Sequence, residues 1–274
     1  MQIKDSTLEK HLANKKLVEA YLLVDKDILK LKRIAEWFSG GYNTADVFWL
    51  VPEDGASTIQ VKGAEAFINR TSLAAISDKK LFIICDTAVM TPAAQNKILK
   101  TIEDNTLGNT FLLLASTERT VLNTIKSRCV LIYPMPLTDK QILGEYPKFP
   151  AQYCDGTFLT AAMYTSNPNA DKIYKNAALL LNIKSLDESL PIMPLLTSKD
   201  NFQLTLAALD FHLKKYLKES INPDSQLSIR KINAIINKLA IINRNIAANC
   251  NMQNCFDLLL LTLINQNHKI GESF

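Results

Sequence analysis

Short apolar runs alternate with helix-like stretches through about residue 135. They read AYLLV (20–24), DVFWLV (46–51), LFIIC (81–85), TFLLLA (110–115) and VLIY (130–133). Strands that are buried on both faces of a sheet have such continuous apolar runs, and helical patterns between them are typical of a parallel sheet. The pattern therefore predicts an α/β domain over residues 1–136, with a parallel sheet flanked by helices.

One helix of this domain is predicted together with its cap. Thr91 is a residue type that caps helices, and Pro92 is favoured in the first turn. The residues that follow form an apolar stripe at helical spacing, made of Ala94, Ile98, Leu99 and Ile102. We expect an amphipathic helix here.

Beyond Pro134 and Pro136, strand signals give way to helical periodicity. Residues 137–182 predict a small, irregular helical piece, and residues 183–274 predict a larger helical domain. The larger domain has two apolar stripes, made of Phe202, Leu206, Leu209, Leu213 and Leu217, and of Ile232, Ile235, Ile236, Leu239 and Ile246. The run CFDLLLLTLI (255–264) is apolar nearly all round, which predicts burial in a bundle or against a partner subunit.

Composition indicates a globular protein and argues against several kinds of site. With 274 residues, 47% of them hydrophobic, the chain can bury a sizeable core. Its apolar runs are too short to span a bilayer and polar residues follow Met1, so we expect a soluble, cytoplasmic protein. The five cysteines have no CxxC spacing, which argues against a disulfide framework and a thiolate zinc site. The formal charge of +4 is mild, so any contact with nucleic acid depends on local placement.

The loop after the first apolar run lacks what a nucleotide site requires. A phosphate-binding loop needs glycines, whose backbone N–H groups approach the phosphates, together with a Lys and a Ser or Thr. Here the run leads into DKDILK (25–30), and the first glycine of the chain is Gly40. The carboxylates of Asp25 and Asp27 would repel a triphosphate, so we expect that this loop does not bind ATP.

The third apolar run also departs from the pattern of a nucleotide hydrolase. Such an enzyme places an acidic residue for magnesium directly after this strand. Cys85 occupies that position, and Asp86 follows one residue later. We interpret Asp86 as a capping carboxylate rather than as a metal ligand.

Several longer stretches are similar to one known family. They are DVFWLVPEDGASTIQV (46–61), AAQNKILKTIED (93–104), LLLASTE (112–118), IKSRC (125–129) and INRNIAANCNMQNCFDLLLLTL (242–263). In these stretches the chain resembles the delta-prime subunits of the bacterial DNA polymerase III clamp loader. The resemblance implies an AAA+-like α/β domain over 1–136 without a functional phosphate-binding loop, a small helical lid over 137–182 and an all-α collar domain for oligomerisation over 183–274.

The resemblance gives Arg128 a role. In clamp loaders the arginine of the Ser-Arg-Cys motif, here Ser127-Arg128-Cys129, is an arginine finger that is presented to the γ-phosphate of ATP on a neighbouring subunit. A planar and always ionised guanidinium suits this role, because phosphoryl transfer spreads charge over the phosphate oxygens. No carboxylate lies within several residues of Arg128, so we expect surroundings free of carboxylates. Ser127 and Cys129 would orient the turn and fill the core, and a solvated surface arginine is the alternative.

The resemblance also implies contacts with DNA and with other subunits. Lys100 stands where related subunits are thought to track template phosphates, and Lys97 lies nearly a turn away. Solvated lysines on an exposed helix face are the open alternative. The implied partners are the clamp-loader ATPase subunits, the delta subunit and the backbone of primed DNA. No cofactor is expected on this chain, because the neighbour would hold ATP and magnesium, and the zinc module of many delta-prime subunits lacks its cysteines here.

Three functions stay open from the sequence. The chain could be a non-hydrolysing clamp-loader subunit that supplies Arg128, an ATPase with an unconventional loop around Lys26 and Lys30, or a scaffold in which Arg128 is idle. No catalytic constellation of its own is evident. The histidines fall in separate helical regions without paired-ligand spacing, at positions 11, 212 and 268.

Overall fold

The computed structural model describes residues 5–14, 17–52, 58–105, 107–183, 185–219, 226–247 and 251–268. Parts of two of the stretches quoted above, residues 53–57 and 248–250, lie outside the described residues. The chain divides into two compact units, Met1–Pro147 with Gly156–Leu159, and Lys148–Asp155 with Thr160–Phe274. The three-part division at residues 136 and 182 stays a prediction.

The first unit is built on a five-stranded sheet, as the apolar runs predict. The strands are β1 (Ala20–Val24), β2 (Val47–Leu50), β3 (Leu81–Ile84), β4 (Thr110–Ala115) and β5 (Val130–Ile132). Their order is β2-β3-β4-β1-β5, and all neighbouring pairs are parallel. Because β1 and β5 are parallel neighbours, the loop after β1 and the segment after β5 leave the same edge of the sheet side by side.

The helices of this unit are α1 (Ser6–Ala13), α2 (Ile28–Ser39), α3 (Val61–Ile68), α4 (Pro92–Glu103), α5 (Asn123–Lys126) and α6 (Asp139–Glu145). The capped helix predicted from the sequence is α4. Thr91 accepts a hydrogen bond from the backbone N–H of Ala94 at 3.3 Å, and Pro92 is its first residue. Ile98 and Ile102 are buried, so the cap and the apolar stripe are both confirmed.

Helices cover both faces of the sheet. On one face, α3, α4 and α5 pack over a cluster that includes Leu22 of β1 and Leu113 of β4, which are register partners. Along its other edge, β1 pairs with β5, and there Leu22 is the register partner of Leu131. Leu131 therefore lies on this same face of the sheet. The opposite face is covered by α2, where Phe38 meets the ring of Tyr21 with centroids 5.8 Å apart.

The remaining helices are α7 (Phe158–Ser166), α8 (Ala170–Leu180), α9 (Leu186–Ser189), α10 (Met193–Thr197), α11 (Phe202–Glu219), α12 (Gln226–Ala247) and α13 (Met252–His268). The first predicted stripe lies on α11, where its first four members are buried. The second lies on α12, where Ile232, Ile235 and Leu239 are buried; the side chain of Ile246 lies outside the described residues. The run in α13 is buried on one side only, because Leu261 is 52% exposed. In the ranges that the structure describes, no helix is both long and apolar enough to cross a membrane.

Candidate functional site

The loop after β1 is filled by a side chain of the protein itself. Only three residues separate the end of β1 from the start of α2, so the backbone has no room for the glycine-rich turn of a phosphate-binding loop. Lys30, in the first turn of α2, is 2% exposed and turns its ammonium group back over this loop. Its Nζ donates to Oδ2 of Asp25 and to the backbone carbonyls of Pro134 and Met135, both at 3.3 Å.

Asp27 completes this buried cluster. It is the N-cap of α2, and its Oδ1 accepts from the backbone N–H of Lys30 at 3.2 Å. Its Oδ2 accepts from the backbone N–H of Phe158 at 2.5 Å. Burial raises the pKa of the Asp27 carboxyl, and the two hydrogen bonds oppose that rise. Both carboxylates that the sequence places in this loop are therefore engaged in internal contacts.

Asp86 follows β3 in a backbone conformation that non-glycine residues rarely adopt, with φ of 65°. Its Oδ1 accepts from the backbone N–H groups of Ala88 at 3.1 Å and Ser116 at 3.0 Å. These contacts confirm the capping interpretation and tie the end of β3 to the end of β4. Across the described ranges, no three His, Cys, Asp or Glu side chains are grouped closely enough to hold a metal ion.

Arg128 lies in the turn between α5 and β5, and its side chain is 43% exposed. Its guanidinium meets three acceptors. Nη2 pairs with Oε1 of Glu103 at 2.5 Å, and Nη1 donates to the backbone carbonyl of Thr124 at 3.2 Å and to Oγ of Ser127 at 3.4 Å. The guanidinium is thus accessible but already oriented.

The expectation that no carboxylate lies near Arg128 is wrong. Glu103 is the last residue of α4, 25 positions earlier in the sequence, and the fold brings it beside α5. The local sequence around Arg128 carries no sign of this partner, because the contact depends on how the two helices pack. Glu103 is 39% exposed, and ion pairs with this much exposure contribute about 0–1 kcal/mol, so the pair adds little to the stability of the fold.

The neighbours of Arg128 contact the turn and the core of the first unit. Ser127 donates its hydroxyl to the carbonyl of Thr124 at 3.0 Å and accepts from Arg128, so it helps to shape the turn. Cys129 packs against the core cluster on the α4 face of the sheet. Burial raises the pKa of its thiol to about 12, which keeps it protonated at neutral pH.

Gln95 is a buried residue of this region that sequence reasoning missed. It is 1% exposed and satisfies three backbone groups. Its Nε2 donates to the carbonyls of Met90 at 3.3 Å and Thr120 at 2.9 Å, while its Oε1 accepts from the N–H of Leu122 at 2.9 Å. These contacts fasten α4 to the segment that leads into α5 and Arg128. Its position in the sequence could have indicated this burial. Gln95 lies three residues before Ile98 and seven before Ile102, so it falls on the apolar stripe of the helix.

Replacing Gln95 with Leu keeps a side chain of similar size and removes its hydrogen bonds. The buried carbonyl of Met90 and the partly buried N–H of Leu122 would then lose these partners, which is expected to lower the free energy of unfolding by about 2 kcal/mol. Urea denaturation followed by tryptophan fluorescence measures this, because both tryptophans, Trp37 and Trp49, lie in the first unit.

The matched control is Asn96→Leu, an exposed position on the same helix. We expect it to change the free energy of unfolding by no more than about 0.5 kcal/mol. Equal losses for the two variants would contradict the structural role given to Gln95.

Lys97 and Lys100 both line an open groove beside α4. Its volume is about 380 Å³, and its other lining residues are Ile68, Thr71, Ser72, Thr101, Asp104, Asn105, Leu107 and Asn109. Lys97 pairs with Glu65 of α3 at 2.9 Å, and both side chains of this pair are half exposed. Lys100 is exposed one turn further along α4. The groove offers ammonium and hydroxyl groups to an anion, although Asp104 adds a carboxylate.

Comparison with known proteins bears on this region directly. Residues 40–137 match the family described as "DNA polymerase III, delta subunit". The resemblance to DNA polymerase III clamp-loader subunits is confirmed. The match includes the Ser-Arg-Cys turn, Glu103 and both lysines, whereas the loop that Lys30 fills precedes it.

Two individual proteins extend the comparison. The chain is 32% identical over 92 residues to the DNA polymerase III subunit delta' of Escherichia coli. This aligned segment covers 33% of this chain and 28% of that relative. A DNA polymerase III, gamma subunit-related protein from Thermotoga maritima aligns over 95% of this chain and 99% of its own, with a TM-score of 0.51 and 17% identity. This second likeness concerns the fold, which is AAA+-like, with a parallel sheet followed by helices.

Proposed function

We propose that the chain is a delta-prime-like clamp-loader subunit in DNA replication that binds no ATP and supplies Arg128 to ATP on a neighbouring subunit. One contrast carries the proposal. The position that a phosphate-binding loop would occupy is filled by the buried Lys30, which is paired with Asp25, while the side chain of Arg128 is 43% exposed.

The chemistry of Arg128 suits a phosphate on another subunit. A guanidinium carries five N–H donors, and three acceptors meet that of Arg128, which leaves two donors for phosphate oxygens. A planar fork can hold two oxygens of a γ-phosphoryl group as charge spreads over them during transfer. A lysine at this position would act only as a point charge.

The ATPase alternative requires Lys30 or Lys26 to hold phosphates. Lys30 could do so only by leaving Asp25 and two backbone carbonyls, which would leave a partly buried carboxylate without its cation. Lys26 is exposed, but it lies between Asp25 and Asp27, whose negative charges oppose an anionic ligand. Both observations favour a subunit without a nucleotide of its own.

The scaffold alternative is favoured by a different observation, namely the ion pair between Arg128 and Glu103. An arginine that only stabilises the end of α4 would look the same in the isolated chain. The two functions differ in what Arg128 does inside an assembly, and its replacement there separates them.

Partners and DNA contacts follow from the same proposal. The partners would be ATPase subunits that hold ATP and magnesium, together with a delta subunit. Lys97 and Lys100 would meet the phosphate backbone of primed DNA, with no readout of bases, since ammonium groups on an exposed helix recognise charge rather than sequence. In this proposal the neighbouring subunit holds ATP and magnesium, and this chain itself binds neither a cofactor nor zinc.

Isothermal titration of the isolated chain with ATP and magnesium tests the absence of a nucleotide site. We expect no binding heat up to millimolar ATP. The positive control is the same titration of an ATPase subunit of the loader, and co-purification of the chain with such subunits tests its membership of the assembly. Saturable binding of ATP to the isolated chain would overturn the proposal in favour of the ATPase alternative.

A further inference from the structure

The contact between Glu103 and Arg128 gives a function to a carboxylate that the sequence leaves unassigned. We propose that Glu103 is a positioning residue that holds the guanidinium of Arg128 ready for the neighbouring nucleotide. This inference rests on the proposed function of Arg128.

The guanidinium is held from two elements. Glu103 approaches from the end of α4 and meets Nη2, whereas the carbonyl of Thr124 in α5 and the hydroxyl of Ser127 meet Nη1. Contacts from two directions restrict the rotation of a long side chain that would otherwise sample many rotamers. The restriction lowers the entropy that must be lost when the fork engages a phosphate.

The support behind Glu103 is firm. The adjacent Ile102 is buried and anchors the last turn of α4 in the core. Near the start of α4, Gln95 forms hydrogen bonds with the segment that leads into α5. The two elements that hold Arg128 are therefore fixed to each other, so the guanidinium has a defined place on the surface of the first unit.

The ion pair between Glu103 and Arg128 is weak enough to let the guanidinium bind a phosphate as well. Both side chains are about two-fifths exposed, and water screens their attraction. The remaining N–H donors can meet a phosphate while Nη2 keeps its contact with Glu103. If Glu103 instead acted as a competitor of the phosphate, its removal would accelerate hydrolysis, so the sign of the effect distinguishes the two roles.

The test uses Glu103→Ala and Glu103→Gln in a reconstituted clamp loader with its ATPase subunits, primed DNA and sliding clamp. For the site that Arg128 faces, we expect Glu103→Ala to lower kcat about tenfold with KM for ATP unchanged, because misplacement of a transition-state group affects kcat. Glu103→Gln keeps an oxygen acceptor for Nη2, so it is expected to retain most of the activity. A role in folding alone would not produce this split between kcat and KM or the rescue by Gln.

The matched control is Glu36→Ala, which removes an exposed, arginine-paired glutamate from α2 on the opposite face of the sheet and is expected to leave kcat unchanged. Arg128→Ala is measured alongside. If Arg128→Ala lowers kcat while Glu103→Ala leaves it unchanged or raises it, the positioning role is wrong and the proposed function stands. If Arg128→Ala has no effect, the proposed function fails, and the role of Glu103 fails with it.

Discussion

Replacing Arg128 with Ala in a reconstituted clamp loader is expected to slow ATP hydrolysis at the site that Arg128 faces by about 10³-fold, the scale at which arginine fingers act. The reason is the loss of a fixed positive fork at the point where negative charge spreads over the transferred phosphoryl group. Single-turnover hydrolysis in the presence of primed DNA and clamp measures the effect, because it separates the chemical step from product release.

Two controls sharpen this experiment. Arg128→Lys keeps the charge without the fork and is expected to recover only a small part of the rate. Arg33→Ala removes an exposed arginine from α2, on the opposite face of the sheet, and is expected to leave the rate unchanged. Unchanged hydrolysis in Arg128→Ala would favour the scaffold, in which Arg128 merely pairs with Glu103.

Replacing Lys30 with Met is expected to lower the free energy of unfolding of the first unit by about 3 kcal/mol, the low end for the loss of one partner of a buried pair, because Asp25 is 20% exposed. The substitution keeps the apolar stem but leaves Oδ2 of Asp25 and the carbonyls of Pro134 and Met135 without their donor. Urea denaturation monitored by tryptophan fluorescence reports the loss.

Lys26→Met is the matched control, since Lys26 is exposed in the same loop. It is expected to stay within about 0.5 kcal/mol of the wild-type value. Adding Asp25→Asn to Lys30→Met removes the uncompensated charge and should restore part of the stability. Equal stability of Lys30→Met and the wild type would show that the pair does not hold this loop together.

Much of the first unit was predictable because its strands are buried on both faces. The run at 20–24 is β1 residue for residue, and the run at 110–115 is β4. The run at 46–51 is longer than β2 (Val47–Leu50), because periodicity does not mark where sheet hydrogen bonding ends. Helix α4 was predictable with its cap, since Thr91 and Pro92 act locally.

The contacts that define the candidate site were less predictable because they join distant parts of the chain. The sequence indicates that Asp25 and Asp27 would repel a triphosphate, but not that Lys30 fills their loop. That arrangement needs carbonyl groups 104 and 105 residues away. In the same way, Arg128 could be singled out from its motif, whereas its partner Glu103 became evident only from the packing of α4 beside α5.

The most direct test of the central claim is the position of Arg128 in the assembled clamp loader with a non-hydrolysable ATP analogue and primed DNA, determined by electron cryomicroscopy. The account predicts guanidinium N–H groups about 3 Å from γ-phosphate oxygens on the neighbouring subunit, with Lys30 still paired to Asp25. Nucleotide bound in the loop of residues 25–30, or an Arg128 that faces Glu103 and no nucleotide, would contradict it.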